Sequence, residues 1–205
     1  MFIVKISPTV TAAQRNDPRF ILLLQQSQLF FNCRKQCCFN ATFREDLCLH
    51  EGAHAYFARK AGATNIKFHG PEMFWDSRPE YDCPAISKAS VSWDEPLGCF
   101  GVDAAKADLA GFICRREMSD TPNDEIAISS DLAQCRERFD RHIGGGDDAF
   151  NGLIGHAERS ILTDLKSPQV QHEIRQMGRQ FEREVFPIPK LTSEMLRARR
   201  LGWMH

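Results

Sequence analysis

Leu47 to Gly62 reads LCLHEGAHAYFARKAG, and the fold turns on whether this stretch is a helix that carries a metal site. On a helix His50 and His54 share one face, about one turn apart. Two imidazoles at that spacing grip one zinc ion. Glu51, beside them, is placed to take a proton from a metal-bound water rather than to bind the metal. This is the HExxH pattern. Small residues, Gly52 and Ala53, fill the interval, and Ala55 follows. A mid-helix glycine costs about 1 kcal/mol relative to alanine, so Gly52 points to a close approach by another segment. The competing account is a metal-free packed helix with Leu47, Leu49, Phe57 and Ala61 inside. It explains the apolar residues but not why two histidines and a glutamate share one side.

Working outward, Thr42 and Glu45 stand at capping-box spacing, which predicts a helix start at Thr42. Gly62 follows the last periodic residues as a stop. Upstream, residues 20–38, with FILLLQQSQLFF at their head, read as a core helix, preceded by a strand (FIVKI) and a Pro-punctuated loop. Downstream, NIKFHGP and AISKASVSW read as short strands, with PEMFWDSRPEYDCP an irregular loop between them. Helices are expected over 101–118 and 129–142, with GGGDD (144–148) a flexible connection. Ser167-Pro168 starts another helix, whose stripe of Val170, Ile174, Met177, Phe181 and Val185 is packing. A last helix is expected over 192–201. The fold class is therefore mainly α, with a small β element after the HExxH helix. Residues 1–39 form an N-terminal strand and helix, 40–186 the main domain, and 187–205 a C-terminal basic helix.

A catalytic zinc site wants a third protein ligand. The metzincin extension needs a glycine three residues after His54 and a histidine three further on, but Phe57 and Lys60 stand there. Two acids remain. Glu117 falls on a stripe with Leu109 and Ile113. Asp131 lies three residues after Ile128 and four before Cys135, on the apolar face that Leu132 and Phe139 continue. A carboxylate on a core face needs a partner, and a zinc ion supplies one. Ser129, Ser130 and Asp131 also suit a helix cap. Spacing alone favours Asp131 over Glu117 and leaves both open.

Three segments, in order, resemble the peptidase domain of FtsH, the membrane-bound AAA protease. HEGAHAYFA resembles that family's HEAGHA helix, LAGFICRREMS its Ala-Gly-Arg-x-Ala-Glu-Glu helix, and ISSDLAQCRERF its (Ser/Asn)-Asp-Leu-x-x-Ala-Thr segment. The resemblance covers roughly residues 40–186. It implies a helical zincin peptidase domain with Zn2+ on His50, His54 and Asp131, and Glu51 as general base. Glu117 then orients a histidine or closes the pocket. The chain departs from the family in reading HEGAH for HEAGH and in keeping one acid where the second segment often has two. It also lacks a Gly-x-x-x-x-Gly-Lys-(Ser/Thr) loop. The expected activity is ATP-independent cleavage of flexible or unfolded polypeptides, with a separate partner to deliver them where one exists. The alternative is a non-catalytic FtsH-like zinc-binding module.

Composition narrows the partners. Lys and Arg number 26 against 27 Asp and Glu, so no overall field draws the chain to nucleic acid or an anionic membrane. FILLLQQSQLFF is too short to span a bilayer. Eight cysteines invite a disulfide framework, but the first residues lack the features of a secretory signal. A cytoplasmic setting with reduced, buried thiols is expected. Cys33, Cys37 and Cys38 cluster without a second Cys/His pair at zinc-ribbon spacing.

Overall fold

The computed structural model describes residues 4–32, 38–78, 81–87, 89–94, 100–119 and 125–186. Among them are seven helices and five short strands, so the chain is mainly α. Cys33, Cys37 and the expected C-terminal helix lie outside the described residues, as does the side chain of Cys38.

The HExxH stretch lies in α3 (Cys38–Lys60). Residues 48–58 are buried without interruption, so over that stretch α3 is surrounded rather than amphipathic, as a central helix must be. It packs against α4 (Val102–Met118), against α7 (Pro168–Val185) and against the strand β5 (Ser90–Asp94). α6 (Gly146–Asp164) closes the far side of α4, and α5 (Glu125–His142) lies along α4. The shared core includes Phe57, Leu109, Ile113, Cys135, Ile161 and Ile174. β5 pairs antiparallel with β2 (Thr64–His69), with an irregularity between Thr64 and Lys67.

The helix ends follow local chemistry. Gly62 takes φ 87°, in the left-handed region that ends helices cheaply, and the Ala63 amide donates to the Ala58 carbonyl. Pro168 opens α7 at its first turn, where its missing N–H costs nothing. The stripe on α7 is packing as expected, with Ile174, Met177, Phe181 and Val185 buried.

Several boundaries differ from expectation. α3 starts at Cys38, so Thr42 lies inside the helix, where its backbone is helical and cannot cap. A capping box does form elsewhere: Thr11 and Gln14 cap the single turn α1 (Ala12–Arg15). The stretch expected to be an irregular loop contains β3 (Glu72–Asp76), which pairs antiparallel with β4 (Cys83–Ile86) and parallel with β1 (Lys5–Ile6). Burial of Met73 is the driving force: fully enclosed, it meets Val4, Val10 and Phe20, the last from α2 (Pro18–Asn32). The N-terminal strand and helix therefore share a small core of their own with a hairpin from within residues 40–186. α2 is not a fully buried helix, since Ile21 and Leu22 face outward. No described helix is long and apolar enough to cross a membrane. Cys48, Cys114 and Cys135 are buried and Cys83 is half-buried, and none of the four is in a disulfide.

Candidate metal centre

His50, His54 and Asp131 come together. One ligand atom from each lies within 4.8 Å of the others, and they are the one such group of three among the described residues. The two Nε2 atoms are 3.1 Å apart, and Asp131 Oδ2 stands 3.6 Å from that of His50 and 3.4 Å from that of His54. Three donor atoms thus converge from α3 and α5 on one point. Asp131 Oδ2 is buried yet makes no well-formed hydrogen bond there. A carboxylate oxygen left in that state is costly, and a cation between the three groups relieves it. The donor set, two imidazoles and a carboxylate, is one that zinc accepts while keeping a position open. The residues present therefore fit a metal ion.

The second ring nitrogen of His54 is also committed. Nδ1–H donates to the Ala107 carbonyl at 2.6 Å, which leaves the Nε2 lone pair facing the group. Burial alone would lower the pKa of His54. The Asp131 carboxylate outweighs it, with help from Glu51 and the Ala107 carbonyl, and the pKa is pushed up to about 9. The surroundings hold a positive charge at Nε2, and a proton and a metal ion compete for that place.

α4 supplies the floor. A Cβ on Gly111 would stand 2.3 Å from His54 Nε2 and 2.5 Å from His50 Cε1. No side chain fits there, so the imidazoles pack directly on the helix backbone. Ala107 and Gly111 lie one turn apart and face the histidines together. Glu117 does not join them. Six residues beyond Gly111, it is about 240° around and roughly 9 Å along the helix. It is exposed and accepts from Arg116 Nε at 2.7 Å. Neither a ligand role nor an orienting role for Glu117 accords with that placement.

Glu51 is buried and stands outside the three-atom group. It shares with that group the wall of a cavity of about 140 Å³, completed by Val91 and Trp93 of β5, Asp108 of α4 and Gln134 of α5. Asp131 is seven residues into its described helix, not at its cap. Reading the sequence alone missed Asp108 and Gly111 as parts of the site. Gly111 carried a signal, a glycine within a helical pattern, of the same kind that singled out Gly52. For Gly52 the close approach is real but lies away from the metal group: its Cβ would stand 2.4 Å from the Gly178 amide of α7.

Comparison with known proteins yields no family model, no curated protein and no solved structure that matches the chain.

Proposed function

We propose that the protein is a zinc metallopeptidase that cleaves peptide bonds in flexible polypeptides without ATP, built on an FtsH-like zincin fold. The observation that carries this reading is the convergence of His50, His54 and Asp131 at one wall of a cavity that Glu51 also lines. His50 and His54 would hold the ion through Nε2 and Asp131 through a carboxylate oxygen. When bound, zinc supplies a Lewis acid and lowers the pKa of a coordinated water to about 7. The Ala107 carbonyl fixes the tautomer of His54, and Gly111 sets the height of both rings. Glu51 accepts a proton from water in the cavity and returns it to the leaving amine, the double duty of a general base and acid. β5 pairs only with β2 among the described residues, and it borders the cavity. An extended polypeptide can add to such a strand through backbone hydrogen bonds.

The test is zinc content and hydrolysis of an unfolded, fluorogenic polypeptide for the wild type, Asp131→Ala, Glu117→Ala and Glu51→Gln. One zinc per chain is expected in the wild type, lost in Asp131→Ala and kept in Glu117→Ala. Glu51→Gln should keep its zinc and lose activity by about a hundredfold or more. Full activity in Glu51→Gln would end this mechanism. Zinc in a wild type that cleaves nothing would support the non-catalytic module instead.

A further inference from the structure

Next to the metal group lies a buried ion pair that the proposed chemistry does not use. Asp108, on α4, is 2 % exposed and lines the cavity, and Arg138, on α5, is 7 % exposed. Arg138 Nη1 donates to Asp108 Oδ1. The guanidinium also lies over the rings of Phe100, at 5.1 Å, and Trp93, at 6.0 Å. Burial pushes the Cys135 thiol up to about 12, and a hydrogen bond to Asp108 adds to the shift, so Cys135 stays protonated beside the carboxylate. One side chain thus joins α4, α5 and the strand that forms a cavity wall.

The spacing gives this pair a consequence for the ligands. Arg138 is seven residues after Asp131, on the same face of α5 and roughly 10 Å along it. Asp108 follows Ala107, which holds His54, and is three before Gly111, which seats both rings. α4 and α5 are in contact, and Ala105 of α4 and Cys135 of α5, both small, lie in one apolar cluster. Such a seam resists separation but gives little resistance to sliding. An arginine that donates to a buried carboxylate and lies over two rings ties α5 to both α4 and β5, and so fixes direction as well as distance. A buried ion pair is poor evidence for stability, since apolar residues of similar volume often serve as well, and register is its better-attested use.

We infer that the Asp108–Arg138 pair is a positioning device for the metal centre, setting the register of α5 on α4 so that Asp131 meets His50 and His54. The inference rests on the metal-binding reading proposed above. Arg138 acts through α5 and through Trp93.

The experiment compares wild type, Arg138→Lys, Arg138→Met and the double variant Asp108→Leu/Arg138→Met. Three quantities are read: zinc affinity by competition with a chromophoric chelator, the visible spectrum of the cobalt-loaded protein, and the melting midpoint of the metal-free protein. Arg138→Met should bind zinc roughly tenfold to a hundredfold more weakly, and Arg138→Lys should fall between it and the wild type. Arg138→Met leaves Asp108 buried without its partner and is also expected to melt early. The double variant removes that cost. Its melting midpoint should recover while its zinc affinity stays low and its cobalt spectrum stays altered. Wild-type affinity and spectrum in the double variant would overturn the inference and leave the pair a packing element only. A wild-type chain that takes up no metal would overturn the proposed function, and this inference with it.

Discussion

Gly111 is the residue on which the two imidazoles of the candidate metal centre rest. Replacing it with alanine improves helix propensity by about 1 kcal/mol, yet the new methyl would fall within 2.5 Å of both imidazoles. Gly111→Ala should therefore lower the melting midpoint of the metal-free protein, because two buried rings must move aside, and zinc affinity should fall by about a hundredfold or more. Titration with a chelator competitor beside thermal unfolding separates the two effects, and unchanged zinc binding would show the rings are not seated on α4. His54 gives a pH signature at the same scale. Its folded pKa of about 9 lies above the ordinary histidine value of about 6.5. The folded state then binds the proton more tightly than the unfolded one. The resulting stability is fully present below about pH 6.5 and is lost as the pH rises through about 9, an effect on the order of 3 kcal/mol for the metal-free protein. Melting of chelator-treated protein between pH 6 and 9.5 should show that decline, and His54→Gln should flatten it. Zinc must displace the same proton, so its affinity should rise with pH over that window.

At the scale of elements, the crossing of α3 and α7 sets how deeply the HExxH helix is enclosed. Gly52 and Gly178 meet there backbone to backbone: a Cβ on Gly178 would stand 2.6 Å from the Cys48 carbonyl oxygen, and one on Gly52 2.7 Å from Gly178 Cα. Backbone cannot rotate aside as a side chain can. Gly52→Ala gains about 1 kcal/mol of helix propensity and should still lose about 2 kcal/mol net, because α7 must move away. Urea unfolding checks the sign, and a more stable Gly52→Ala would mean the helices are not in contact at this point. In this chain it is the residue after Glu51 that meets α7, while Ala53 is buried with its methyl accommodated. The legibility of the elements followed the same logic. Long helices with a Pro start or a Gly stop, such as α7 and the end of α3, were plain from sequence. β3 was not, because prolines and charges surround it and its one fully buried side chain, Met73, is explained only by partners far away in sequence.

For the whole molecule, the small core of Val4, Val10, Phe20 and Met73 is distinct from the helical core that includes Leu49, Ala53 and Leu109. Met73→Ala should open a cavity worth about 2–5 kcal/mol and loosen α2 and β3, while zinc stoichiometry stays unchanged. Hydrogen exchange resolved by segment, with zinc content on the same sample, tests this. Loss of zinc together with loss of protection in α2 would show that the two cores stand or fall as one.

The sequence by itself determined the helical class of the chain, the placement of His50, Glu51 and His54 on one helix, and a short list of acids for the third position. These are local matters, decided by spacing, caps and breakers within a few residues. Only the tertiary structure brought Asp131, and not Glu117, beside His50 and His54, because that placement depends on the rotation of α5 and α4 about their own axes relative to α3. A cap-like Ser-Ser-Asp run and a helix interior look alike until the packing is known, and a shift of a few residues carries a side chain to the opposite face. The seat at Gly111, the carbonyl of Ala107 behind His54 and the Asp108–Arg138 pair belong to the same class of fact. Each is a contact between helices distant in sequence, and the physical cause lies in the distance between two backbones, which no single helix encodes.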